Sequence, residues 1–220
     1  MDGYGRDSRE GASLAGFELT TYRRVWMVVY VFLPWILWPL AFVVFREHFL
    51  IAMVAATGVL GLATATIGPG VRLGGIGVRE AVCSVAYAVL LYALFVAGGV
   101  LSKLLGLWEG VAAVYGMVGR GLHLVPALAW IGFLEEVYWR GGFQEGLLSR
   151  ATRRPWLASS LVYSAVHVFT GNLVLVAAAL VVGLVLGFEA HRCGVAASSL
   201  THVLWLYAVI LVAPVNLLLG

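Results

Sequence analysis

Apolar residues follow one another in long runs, near residues 25–45, 49–67, 81–102, 122–146, 156–171, 172–189 and 194–219. Polar residues are confined largely to the short breaks between them. Most of these runs approach the ~20 residues that a helix needs to cross a bilayer. None shows the alternation of a half-buried strand. Within lipid every backbone N–H and C=O must be paired inside the protein, which leaves helices or a closed barrel, and unbroken apolar runs favour helices. The pattern predicts an all-α, polytopic membrane helix bundle of about seven transmembrane helices. Thr170, Gly171 and Asn172 form a turn signal between the fifth and sixth runs, which makes those two a tight helical hairpin. Gly183 and Gly187 are a small-xxx-small pair suited to close helix packing.

Composition supports this and leaves no room for a soluble domain. Of 220 residues 62% are hydrophobic and 11% charged, with a mean hydropathy of +0.97, far above that of soluble domains. The net charge of +3 comes mainly from arginines that flank apolar runs. An N-terminus in the cytoplasm puts Arg6, Arg9, Arg23, Arg24, Arg72, Arg79, Arg140, Arg150, Arg153, Arg154 and Arg192 on that side, against Arg46, Lys103 and Arg120 on the other. That asymmetry fits the excess of positive charge on cytoplasmic loops, and it gives no support to nucleic-acid binding. Residues 1–24 read as a flexible polar segment, and 25–220 as one transmembrane domain. The first run ends in "FVVFREH" without a small-residue cleavage site and reads as a retained anchor. Cys83 and Cys193 read as free thiols. The richness in Ala, Val, Gly and Arg points to a bacterial chain, and with it to an inner-membrane location.

One stretch breaks the apolar pattern. "FLEEVYWRGG", Phe133 to Gly142, sets two acids and an arginine inside the fourth run, where each buried charge costs about 2.5–3.5 kcal/mol on insertion scales unless it is compensated. On a helix Glu136 and Arg140 share a face, and Glu135 is turned about 100° away. An ion pair that fixes packing therefore accounts for Glu136 and Arg140 but not for Glu135. His48 follows Arg46-Glu47 in a loop, His123 sits at a helix start near Arg120 and His191 lies beside Arg192, and all three read as interfacial polar residues. His167 and His202 lie inside apolar runs, about 16 and 12 Å deep from the cytoplasmic side at 1.5 Å of rise per residue, the level expected for the two glutamates. An unpaired acid near two imidazoles suits a general base that takes a proton from a water. No G-x-S-x-G or H-E-x-x-H motif is present.

The order "EEVYWRG" at 135–141, "YSAVH" at 163–167 and His202 after "GLVLGFEAHRCGVAASSLT" resembles the CPBP family, the CAAX prenyl endopeptidases and bacteriocin-processing enzymes also called Abi proteins, which are glutamic intramembrane proteases. The resemblance covers about residues 122–210. It implies that Glu135 activates the water, that His167 helps to hold or polarise it, that Glu136 and Arg140 support the site, and that His202 stabilises the oxyanion. Many relatives carry an Asn four residues after that His, whereas here the position is Leu206. Ser198, one helical turn before His202, is a candidate substitute donor. Tyr163, where relatives often have Phe, adds a hydroxyl near His167.

The expected function is hydrolysis of a peptide bond in a membrane-associated peptide or protein tail, with the lipid bilayer as surroundings. No cofactor is expected, although Glu, His and His also suit zinc. Two other readings fit the same residues: a non-catalytic scaffold or immunity-type member that keeps the cluster for structure, and a proton-coupled transporter that uses Glu and His as a relay.

Overall fold

Residues 24–220 are described by the computed structural model, which is helical throughout with no strand among them. The polar segment expected over residues 1–24 lies outside the described residues except for Arg24. In chain order the helices are α1 (Arg24–Val44), α2 (Phe49–Thr66), α3 (Val78–Leu104), α4 (Trp108–Val118) and α5 (Leu124–Glu136). They continue with α6 (Pro155–Ala165), α7 (Leu173–Cys193), α8 (Val195–Leu206) and α9 (Val215–Leu218). Three of them run on in the wider π geometry, α1 through Leu40–Val44, α5 through Val137–Leu147 and α8 through Tyr207–Val212.

Every predicted run has its helix, and the structure adds α4. Its 11 residues are about half of what a membrane crossing needs, and Gly119, at φ 73°, ends it. Among the described residues five helices are long and apolar enough to span a membrane by length and composition, Arg24–Val44, Arg46–Thr66, Val78–Leu104, Leu173–Cys193 and Val195–Leu218. The fourth and fifth predicted spans fall outside that set for physical reasons: the fourth carries Glu135, Glu136, Arg140 and Glu145, and α6 is short. The chain is thus a multi-pass membrane protein. Its lipid-facing surface is apolar, with Val28, Phe32 and Ile36 of α1, Ile51 and Leu62 of α2, and Val82, Val85 and Val89 of α3 all exposed.

At the core is the π continuation of α5, in which Tyr138 to Gln144 are buried without interruption, so this stretch is enclosed on all sides. Small residues make the enclosure possible. A Cβ on Gly141 would stand 2.5 Å from a Val71 methyl, and one on Gly142 would collide with the Tyr30 hydroxyl. The Tyr138 hydroxyl donates to the Tyr30 carbonyl at 2.6 Å, and Tyr30 meets Thr64 of α2 at 3.2 Å. At the α6–α7 turn Gly171 adopts φ 66°, which suits glycine, and the Asn172 side chain accepts from the N–H groups of Val174 and Leu175, capping α7. The hairpin packs closely because Gly183 lies against Ser160 and Gly187 against Ser160 and Gln144.

Candidate active site

Glu135 and Glu136 end α5, where the helix widens, and both are at least 96% buried, at 4% and 1% exposure. The change to π geometry at Val137 is a departure of the kind frequent at functional sites. It brings the next turn, Tyr138 to Phe143, fully into the core.

The two acids have different partners. Glu136 Oε2 lies 3.4 Å from Arg140 Nε, and Glu136 Oε1 lies 3.1 Å from His202 Nδ1 on α8. Arg140 is wholly buried and its guanidinium stands 5.1 Å from the centre of the Tyr163 ring. Ser198 is buried beside the Glu136 carboxylate, and its hydroxyl also reaches the Val195 carbonyl at 3.1 Å. Glu135 has no ion pair among the described residues. It accepts one hydrogen bond, from the Tyr163 hydroxyl of α6 to Oε2 at 2.8 Å.

His167 lies one turn beyond Tyr163, in the 3-10 turn that ends α6. Its surroundings settle its tautomer. The indole Nε1–H of Trp38 on α1, a group that only donates, reaches His167 Nε2 at 3.0 Å. The Tyr163 carbonyl, which only accepts, is 2.8 Å from Nδ1. Nδ1 therefore carries the proton, the ring is neutral, and both nitrogens are engaged. The structure brings Glu135, Glu136, Arg140 and His202 together directly and links His167 to Glu135 through Tyr163. It does not set both imidazoles against Glu135: His202 meets Glu136, and His167 meets Trp38. For zinc the donor set does not converge, since among the described residues no three of His, Cys, Asp and Glu are grouped closely enough to hold a metal.

Leu206 occupies the position at which the relatives' Asn is expected and packs, with Val203, against Gly132 of α5. Sequence reasoning missed Trp38, whose contact with His167 spans 129 positions and leaves no local signal. It missed Gln144, one turn beyond Arg140, which donates to the Gly187 carbonyl at 2.9 Å. It also missed Glu189 of α7, fully buried, which accepts from the Thr201 hydroxyl at 2.7 Å. Glu189 stands in "GFEAHRC", where its proximity to His191 and Arg192 reads as an ordinary charged helix end.

Comparisons with curated proteins and with solved structures give no significant match. A family model does match, over residues 118–208. That segment contains Glu135, Glu136, Arg140, Tyr163, His167 and His202, and it begins at the end of α4 and runs into the π turn of α8. The family is described as type II CAAX prenyl endopeptidase Rce1-like, so the helices that carry the polar cluster are the part of the chain that is similar to that family.

Proposed function

We propose that this protein is a metal-independent intramembrane endopeptidase in which Glu135 activates the attacking water. The observation that carries the reading is the unequal company of the two acids. Glu136 engages Arg140 and His202, while Glu135, one residue away, is buried with a single neutral hydroxyl on it. A carboxylate so held retains an oxygen lone pair to take a proton.

The steps follow from the side chains. Glu135 removes a proton from water as its oxygen attacks the scissile carbonyl, and Tyr163 fixes the carboxylate's orientation. His202, aligned through Nδ1 by Glu136, offers Nε2–H to the oxyanion when the ring is protonated, the task a donor must perform in acyl transfer. Collapse of the tetrahedral species breaks the C–N bond, and Glu135 returns its proton to the leaving amine. His167, with both nitrogens engaged, supports this site by holding the Tyr163 turn. It does not bind the water itself. The substrate is a peptide or protein with a membrane-associated tail, cleaved in the inner membrane of a bacterium.

A second reading, a scaffold that keeps the cluster for packing, is favoured by Leu206 in place of a polar donor and by the saturated His167. One comparison separates the two. Membrane and secreted peptides are profiled by mass spectrometry from cells with the normal chain and with Glu135→Gln. A fragment that disappears with the substitution, at unchanged protein level, supports hydrolysis, and identical profiles support the scaffold.

A further inference from the structure

A pair of cysteines lies apart from the acids. Cys83 stands in the second turn of α3 and Cys193 is the last residue of α7. The two are 110 positions apart in sequence, yet their sulfurs are 2.6 Å from each other. Both are free thiols and neither is buried. Nearby, Arg79, one turn before Cys83, donates to the Arg192 carbonyl at 3.4 Å, so the start of α3 and the end of α7 are already joined at this point.

We propose that Cys83 and Cys193 form a dithiol modification site whose substrate is an oxidising disulfide of low molecular weight. One thiolate attacks a sulfur of the oxidant, forming a mixed disulfide and releasing one reduced thiol. The second thiolate attacks the protein sulfur of that mixed disulfide, releasing the other reduced thiol and leaving an S–S bond between α3 and α7. The protein gives up two electrons and two protons, and the oxidant is reduced to two thiols. Adjacency decides the second step, since a sulfur already in contact outcompetes any thiol that must diffuse to the site. On the arginine-rich side of the membrane, where thiols are normally kept reduced, such a bond forms only under oxidising conditions.

The site is connected to α8. Ser84, next to Cys83, donates to the Ala197 carbonyl at 3.0 Å, and the Thr201 hydroxyl lies 3.2 Å from the Ser84 carbonyl and 2.7 Å from Glu189. Thr201 immediately precedes His202. The cross-link thus ties covalently the two helices, α3 and α7, to which that stretch of α8 is hydrogen-bonded.

The experiment uses the full chain in detergent or liposomes, treated with oxidised glutathione and then with a maleimide. The expected result is loss of both maleimide-reactive thiols, no glutathione adduct, a mass lower by about 2 Da, and a linked peptide pair containing Cys83 and Cys193, all reversed by dithiothreitol. Cys83→Ser and Cys193→Ser should each retain a single thiol that takes up glutathione instead. A stable glutathione adduct on the unsubstituted chain, disulfide-linked dimers, or two thiols that stay reactive would overturn the proposal. Thiols and masses are read without reference to peptide cleavage, so this result stands or falls apart from the proposed protease chemistry.

Discussion

Neighbouring glutamates differ here because of what reaches them from other helices. Among the described residues Tyr163 supplies the one side-chain hydrogen bond on Glu135. Removing a bond to a charged acceptor costs about 1.5–3 kcal/mol, so Tyr163→Phe should lower kcat about 10- to 100-fold while the chain remains folded, as read by turnover of a fluorogenic membrane peptide. Wild-type turnover in that variant would remove Tyr163 from the site. The same assay followed across pH should give a bell, falling in acid as Glu135 takes up a proton and in alkali as the protonated partner is lost. Flat activity from about pH 5 to 9 would count against acid–base work by this cluster. Trp38 offers a second test. Trp38→Phe keeps a ring beside Trp139 and His167 but leaves His167 Nε2 buried without a donor, a loss of about 1–3 kcal/mol. Thermal unfolding in detergent should show it, together with a changed imidazole 15N spectrum that mere loss of packing would not produce.

At the scale of the helix, α5 shows why sequence gave the site's position better than its wiring. The placement of Glu136 and Arg140 on one face follows from a helical offset of four, which the chain itself encodes. The bonds from Tyr163 to Glu135 and from Trp38 to His167 cross 28 and 129 positions, and no periodicity reports on the rotation of one helix about another. The π widening after Glu136 is likewise silent, since "VYWRGGFQEGL" differs from an α-helical pattern only in its glycines. Those glycines make a prediction of their own. Gly141 receives Val71 of the α2–α3 loop, and the Leu73 carbonyl of that loop accepts from Ala196 N–H of α8 at 2.9 Å. Gly141→Val should push the loop off both helices, at about 1–3 kcal/mol for overpacking, and expose it to limited proteolysis between α2 and α3. Unchanged protection would show that the loop is held by other contacts.

For the whole molecule, hydropathy was enough to find the membrane bundle, because lipid forces every spanning segment to be apolar and helical. α4 escaped notice because it is too short to cross and is held in place by tertiary contacts, among them the bond from Asn172 to the Gly110 carbonyl at 2.8 Å. Its shortness has a topological consequence. A helix of 11 residues that does not cross leaves α3 and α5 starting from opposite sides, so the arginine count assigns the loops without revision. By that count the α1–α2 and α6–α7 connections are expected outside, and the loops after α2 and α5, with the α7–α8 junction, in the cytoplasm. Packing agrees, since the α2–α3 loop touches the α7–α8 junction through Leu73 and Ala196, two segments the charge rule puts on one side. In a background with both native cysteines replaced by serine, Glu47→Cys and Thr152→Cys, each at an exposed position, should react oppositely with an impermeant maleimide. Intact cells should label only the first, and inverted vesicles only the second. Labelling of both from one side would mean that an odd number of crossings has been misassigned between α2 and α5, and it would move the glutamates to a depth measured from the other leaflet.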